Sequence, residues 1–129
     1  MSGALSWPLQ RGLYAALVGD AEVLALTEGR VFDEAPAGAA EGVFVLLGEE
    51  TARPFEGGAV HEAEIVAGGG VGGFAEVKRL AGAVARVVEA RPTVEGARVV
   101  DARFAASQAR RLRHERRVEL RFRIVLEKE

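Results

Sequence analysis

Three glycines near the middle of the chain have the spacing of a dinucleotide-binding fingerprint. Gly68, Gly70 and Gly73 satisfy the pattern G-x-G-x-x-G between a predicted strand and a predicted helix. In that motif the glycines let the backbone approach a pyrophosphate at the start of the helix. The motif also requires a buried parallel strand, whereas residues 60–66 carry glutamates on one face, as a half-solvated antiparallel strand does. We therefore interpret the glycines as a flexible connection, with a small nucleotide-binding α/β protein as the alternative.

The other residue types that support catalysis do not combine into a recognisable site. His61 and His114 lie on different predicted elements, and the chain has no cysteine, so no metal site is expected. His61 is predicted to be a structural residue at the start of a strand. The serines lie outside any nucleophile-elbow context, and neighbouring carboxylates are common in a segment that is acidic throughout. The residue types and their spacing therefore predict no catalytic residue and no metal site.

Charge is segregated along the chain although the formal net charge is only −2. Residues 20–64 contain eleven acidic residues and two arginines, whereas residues 98–123 contain nine arginines and three acidic residues. The two charged segments could pair within one subunit, or they could orient neighbouring copies in a stack or ring. A basic nucleic-acid-binding module is the third interpretation. It is disfavoured because the acidic segment repels phosphate and no aromatic residues are interleaved with the arginines.

Two segments of unusual composition form the candidate assembly interface. The first is the glycine segment and the second is the basic loop, which suits docking to an acidic protein surface or a phosphate backbone. Both are predicted to be mobile in the free subunit and ordered on assembly, because of their composition and length. The candidate residues are Gly68, Gly69, Gly70, Gly72, Gly73, Arg110, Arg111, Arg113, Arg116 and Arg117.

Hydrophobic periodicity predicts three helices that would position these segments. The predicted spans are Ser6 to Val18, Ala21 to Leu26 and Phe74 to about Ala90. Ser6 supplies a capping hydroxyl two residues before a proline, and Asp20 is the expected cap of the short second helix. In the first helix the leucines and Tyr14 are predicted to share the buried face.

Alternation and β-branched content predict the strands. Residues 43–47 form a continuous apolar run, which predicts a buried strand at the centre of the sheet, and residues 60–66 predict a strand with one wet face. Residues 100–106 and 118–126 predict an antiparallel pair joined by an arginine-rich connection. The segment from Arg30 to Asp33 is a possible short strand. Turns or loops are predicted at residues 35–42, 53–58 and 110–117.

The order of these elements predicts an α+β fold. Strands grouped around amphipathic helices, without a repeating βαβ pattern, favour a mainly antiparallel sheet of about four strands packed on two or three helices. A length of 129 residues predicts one domain over residues 1–129, and 49% hydrophobic residues suffice for its core. No stretch is long and apolar enough to span a membrane, and the first nine residues do not have the pattern of a signal peptide.

A series of short segments, taken in order, carries a resemblance to a known family. The segments are Leu9 to Leu17 with Asp20 and Ala21, Gly29 to Asp33 before Pro36, Val43 to Gly48, His61, Glu76, Val99 and Val100 through Phe104, and Leu120 to Phe122. Together they resemble the tail terminator (tail completion) family of long-tailed phages and gene transfer agents, most closely the gene transfer agent branch. The chain departs from the family where arginines replace the Asp and Gly that often turn the last hairpin.

This resemblance implies a structural role, with no enzyme activity and no cofactor. Members form a ring, usually of six copies, that caps the head-proximal end of the tail tube, stops its growth and joins the tail to the head. The implied partners are further copies of the chain, the major tail tube protein, the head–tail connector or stopper protein, and DNA that passes through the lumen without sequence-specific binding. No membrane is implied. The expected location is the head–tail junction of a phage-like particle, after synthesis in the bacterial cytoplasm.

Overall fold

The computed structural model describes residues 5–34 and 42–129, so most of the predicted loop at residues 35–42 lies outside the described residues. The chain is α+β, as predicted, with three helices and five strands in the described part rather than about four strands. The elements are α1 (Ser6–Val18), α2 (Ala21–Thr27), β1 (Val31–Phe32), β2 (Phe44–Phe55), β3 (Gly58–Gly69), α3 (Phe74–Glu89), β4 (Ala97–Leu112) and β5 (Glu115–Lys128).

The five strands form one sheet in the order β1-β2-β3-β5-β4. Only the pairing of β1 with β2 is parallel, and the other three pairings are antiparallel. The buried strand predicted at residues 43–47 is confirmed as the start of β2, but its predicted place at the centre of the sheet is wrong, because β3 is the middle strand. The physical reason is that β2 is buried only up to Leu47 and then runs along the solvent, whereas Ile65, Val66 and Ala67 of β3 are buried on both faces.

Two predicted turns are strand instead. Arg53 and Pro54 belong to β2, and the turn that follows is only Glu56 and Gly57, with a positive φ of 89° at the glycine. Proline is tolerated here because β1 covers only the start of β2, so the later residues lie on an open sheet edge.

The prediction of a basic loop at residues 110–117 is also wrong, because pairing of β4 with β5 continues until Leu112 faces Glu115. Only Arg113 and His114 form the turn. Arginine is compatible with such a strand because its aliphatic stem can lie along the sheet while the guanidinium stays in water.

The helices pack on one face of the sheet and bury its alternate residues. Helix α3 contacts β3, β4 and β5, while α1 and α2 contact the β2 side. Fully buried members of this core are Leu9, Leu17, Ile65, Leu80, Phe122, Ile124 and Leu126. Burial of each such side chain stabilises the fold by about 1.5–3 kcal/mol. The opposite face is charged, with Glu62 facing Arg123 and Glu64 facing Arg121 in the β3–β5 register, so the predicted wet face of this strand is confirmed.

The beginnings of the first two helices differ in how they are capped. Asp20 caps α2 as predicted, because its carboxylate accepts a hydrogen bond from the Val23 amide at 3.1 Å. The prediction that Ser6 caps α1 is wrong: Leu5 holds the capping position, and Ser6 is the first helical residue. The Ser6 hydroxyl instead donates a hydrogen bond to Glu50 on β2 at 2.9 Å, which ties the start of α1 to the sheet.

Candidate assembly interface

The glycine segment and the arginine segment lie side by side at one end of the sheet. In the β3–β5 ladder Gly68 faces Arg117 and Gly69 faces Arg116. The guanidinium of Arg111 lies 5.0 Å from the centre of the Phe74 ring, immediately after the glycine segment, at cation–π distance. The structure thus brings together two segments that are about forty residues apart in the sequence. The sequence predicted each segment but not their proximity, which depends on the long-range pairing of β3 with β5.

The glycines divide into a buried pair and an exposed group. Gly68 and Gly69 are buried at the end of β3, whereas Gly70 and Gly72 are exposed and Gly73 holds the capping position of α3. A Cβ atom added to Gly68 would lie 2.5 Å from the Phe44 ring, well inside van der Waals contact.

A similar addition to Gly69 would lie 2.9 Å from Val77. Close packing therefore accounts for these two glycines without a phosphate. Since β3 is antiparallel to both of its neighbours, the strand context of a dinucleotide fingerprint is not met.

The arginines of the β4–β5 hairpin differ in how they are partnered. Arg110 donates to Glu119 at 2.8 Å, and Arg117 donates to Glu115 at 2.5 Å and contacts Glu119 at 3.4 Å. The hydrogen bond from Arg110 is the main reason that the pKa of Glu119 lies below its ordinary value of 4.5.

The Arg116 guanidinium donates to the Leu112 carbonyl at 2.8 Å. Arg111, Arg113 and Arg116 have no carboxylate partner within residues 5–34 and 42–129. Ion pairs within the subunit therefore leave these three charges at the hairpin tip unneutralised, although the Arg111 guanidinium also contacts the Phe74 ring.

The acidic and basic segments of the chain remain largely separate in the folded subunit. Within the part of the chain that the structure describes, one ion pair joins them, between Glu64 and Arg121 at 3.9 Å. The bidentate contact of Arg86 with Asp20, at 2.8 and 3.0 Å, uses an arginine outside the basic segment and lowers the pKa of Asp20. Ion pairs between the two segments therefore neutralise little of the segregated charge, because most of the pairing is within one segment or with residues outside both.

His61 lies in the core, where it holds β3 to β2 and α1. Its Nδ1 atom hydrogen-bonds to the Glu50 carboxylate, the same group that accepts from Ser6. The Nε2 atom is buried without a hydrogen-bond partner among the described residues. Ser6 contacts the carboxylate and not the imidazole, so the three residues do not form a nucleophile with its base. His114 lies exposed in the hairpin turn, far from His61 in the β3–β5–β4 register.

The structure has an apolar groove beside β1 that the sequence patterns did not predict. It has a volume of about 920 Å³ and lies between α1, β1 and the segment before β4. Trp7 on its wall is 62% exposed and Tyr14 is 41% exposed, so the prediction that Tyr14 lies on the buried face of α1 is wrong. The sequence does contain a pattern that indicates this surface. Trp7 and Tyr14 are seven residues apart, which places both rings on one side of a helix but away from the leucines.

Residues 5–34 and 42–129 contain no group of three or more histidine, cysteine or acidic side chains arranged to hold a metal ion. Over the same ranges, no helix combines the length and the apolar character that crossing a bilayer requires.

The fold as a whole is similar to that of a chain from a solved structure of the virion of a native gene transfer agent particle. The two chains are 34% identical, the match covers 98% of this chain and 99% of the other, and the TM-score is 0.86. No curated protein sequence matches. The class defined by this similarity is that of small α+β structural proteins of phage-like particles.

The sequence also matches the family described as Tail completion protein gp17 over residues 11–127. The chain belongs to this family, so the resemblance found in the sequence is confirmed. It is accordingly a structural tail protein and not an enzyme.

Proposed function

We propose that this chain is the tail terminator of a phage-like particle of the gene transfer agent type. A hexameric ring of single-domain subunits caps the head-proximal end of the tail tube, stops its growth and joins the tail to the head connector. DNA passes through the lumen of the ring without sequence-specific contacts. The observation that carries this proposal is the near full-length similarity to a chain of a gene transfer agent virion, at 34% identity.

The surfaces of the subunit support a role in which one molecule contacts several different neighbours. The charged face of the sheet, the β4–β5 hairpin and the apolar groove are separate surfaces with different chemistry. A ring subunit at the head–tail junction needs such a set, because it meets the tube protein, the connector and two copies of itself. The particle would be completed after synthesis of the chain in the bacterial cytoplasm.

Electron microscopy of the purified protein, alone and mixed with its tail tube protein, tests the proposal. We expect rings in the first sample and tubes capped at one end in the second. Tube protein polymerised alone is the control, and its length distribution should be longer and broader than that of the mixture. If the protein neither forms rings nor caps tubes, the proposal is overturned, and binding of nucleotide and salt-dependent binding of DNA would then distinguish the alternatives.

A further inference from the structure

One edge of the sheet is a long strand that is largely uncovered. Strand β4 has 16 residues and occupies the edge, and its residues 103–112, which we call the β4 arm, are all exposed. Helix α3 contacts the arm near its start, where the Glu89 carboxylate accepts a hydrogen bond from the Phe104 amide at 3.2 Å, and near its end, where the Phe74 ring lies 5.0 Å from the Arg111 guanidinium. The arm remains exposed in spite of these contacts, and Phe104 and Leu112 are 41% and 42% exposed. Natural proteins usually shorten or cover an edge of this kind, because it invites pairing with another chain.

The opposite edge of the sheet carries the apolar groove. Its walls include Trp7 and Tyr14 from α1, Val31 and Phe32 from β1, and Leu47 from β2. Across five strands the two edges are about 19 Å apart, since neighbouring strands are spaced by about 4.8 Å. The exposed indole of Trp7 and the phenol of Tyr14 are side chains of the types that are enriched at the centre of protein interfaces.

The two edges have opposite charge. The β4 arm contains Arg103, Arg110 and Arg111 and no acidic residue, and Arg113 follows it in the turn. Asp33 and Glu95 line the groove, and the exposed Glu34 lies beside it.

Arg11, the basic side chain among the described residues of the groove wall, is already paired with Glu95 at 3.5 Å. Asp33 and Glu34 have no ion-pair partner in the described part of the chain. The acidic rim therefore complements the basic arm.

We infer that the β4 arm of one subunit docks in the apolar groove of the next copy of this chain. The arm supplies apolar side chains against Trp7 and Tyr14, and its arginines face the acidic rim. Because arm and groove lie on opposite edges, the contact is head-to-tail: every subunit donates one arm and accepts another, which generates a closed ring when the rotation between subunits allows it. The inference rests on the proposed ring, and it specifies the contact between neighbouring subunits in that ring.

Charge exchange between two variants tests this contact. The first variant, Arg111→Glu with Arg113→Glu, has an acidic arm tip and the natural acidic rim. The second, Asp33→Arg with Glu34→Arg, has a basic rim and the natural basic arm. When either variant is alone, like charges face each other wherever an arm meets a groove. We therefore expect monomers by native mass spectrometry and electron microscopy. In a 1:1 mixture opposite charges meet at every contact, so rings should reappear with the two variants alternating.

Controls separate this contact from general effects of charge or folding. Arg79→Glu reverses an exposed charge on α3, away from both edges, and should leave rings intact. Trp7→Ser should abolish them, whereas Leu24→Ser removes a similarly exposed apolar side chain, 48% exposed, from α2 and should not. Circular dichroism on every variant confirms that each subunit is folded.

The possible results distinguish failure of the contact from failure of the proposed function. Rings in either charge variant alone, or a folded 1:1 mixture that stays monomeric while the wild type forms rings, would overturn the arm-in-groove contact and leave the terminator proposal standing. A wild-type protein that forms no rings and caps no tubes would overturn the proposed function. Alternating rings in the mixture would establish the contact.

Discussion

The end of β3 and the tip of the β4–β5 hairpin lie next to each other, yet different forces determine them. At the end of β3, Gly68 and Gly69 are buried, and their lack of a side chain makes room for Phe44 and Val77. At the hairpin tip, residues 110–114 are exposed, and their contacts are ion pairs, hydrogen bonds and a cation–π contact. A packed interior is destabilised by small changes in side-chain volume, whereas exposed charges contribute little to stability and remain available to a partner.

This difference shows that composition alone misassigns part of each segment. A run of glycines resembles a mobile loop, but its first two members belong to the packed core. A run of arginines resembles a loop as well, but it continues a regular antiparallel ladder to a two-residue turn. The comparison also indicates where substitutions should act: on folding at the end of β3, and on assembly at the hairpin tip.

Hydrogen exchange of the free subunit should show the largest contrast. Amides of β3 up to Gly69 lie in the central strand and should open only with global unfolding, which typically costs at least about 5 kcal/mol. Amides of residues 70–72 and of the turn at 113–114 should exchange with little protection. The sequence-based prediction that residues 68–73 and 110–117 are mobile until assembly is tested by repeating the measurement on rings. Equal protection of both segments in free and assembled protein would contradict that prediction.

Gly68→Val should have the largest effect of any single substitution at this end of the sheet. The new side chain would overlap the buried Phe44 ring, because its Cβ alone lies 2.5 Å from the ring, and we expect a loss of about 3 kcal/mol in the free energy of unfolding. Gly70→Ala is the matched control, since a Cβ there meets no atom within 4 Å, and its effect should stay within about 0.5 kcal/mol. Denaturant unfolding of both variants measures the difference. Equal stabilities would mean that Phe44 moves aside at little cost.

The elements that the sequence predicted well are those with a strong local pattern. Helix α3 begins at Phe74 as predicted and ends at Glu89, because its apolar stripe and the Pro92 beyond it are both local signals. The alternation in β5 was equally clear. The second half of β4 has no apolar alternation, because neither of its faces is buried, and so its length was underestimated.

The candidate site was predicted only in part for the same reason. Its residue types can be recognised along the chain, but the position of Arg111 above Phe74 follows from the long-range pairing of β3 with β5, which the local β4–β5 hairpin then extends. The apolar groove depends on how α1 crosses the β1 edge, a tertiary arrangement that no local pattern encodes. Tyr14 illustrates the limit, since it was predicted to share the face of the leucines although it lines the groove.

The ion pair between Arg110 and Glu119 should contribute the smallest effect and depend on pH. Because the folded pKa of Glu119 is lower than its ordinary value of 4.5, its contribution is present above that value and is lost as the pH falls through the folded pKa. Glu119→Gln should therefore lower the free energy of unfolding by about 0.5 kcal/mol at pH 7 and by less at pH 3. Glu62→Gln is the control, since Glu62 forms no ion pair within 4.0 Å among the described residues. A loss for Glu119→Gln as large as that for Gly68→Val would mean that charge, and not only packing, determines the fold at this end of the sheet.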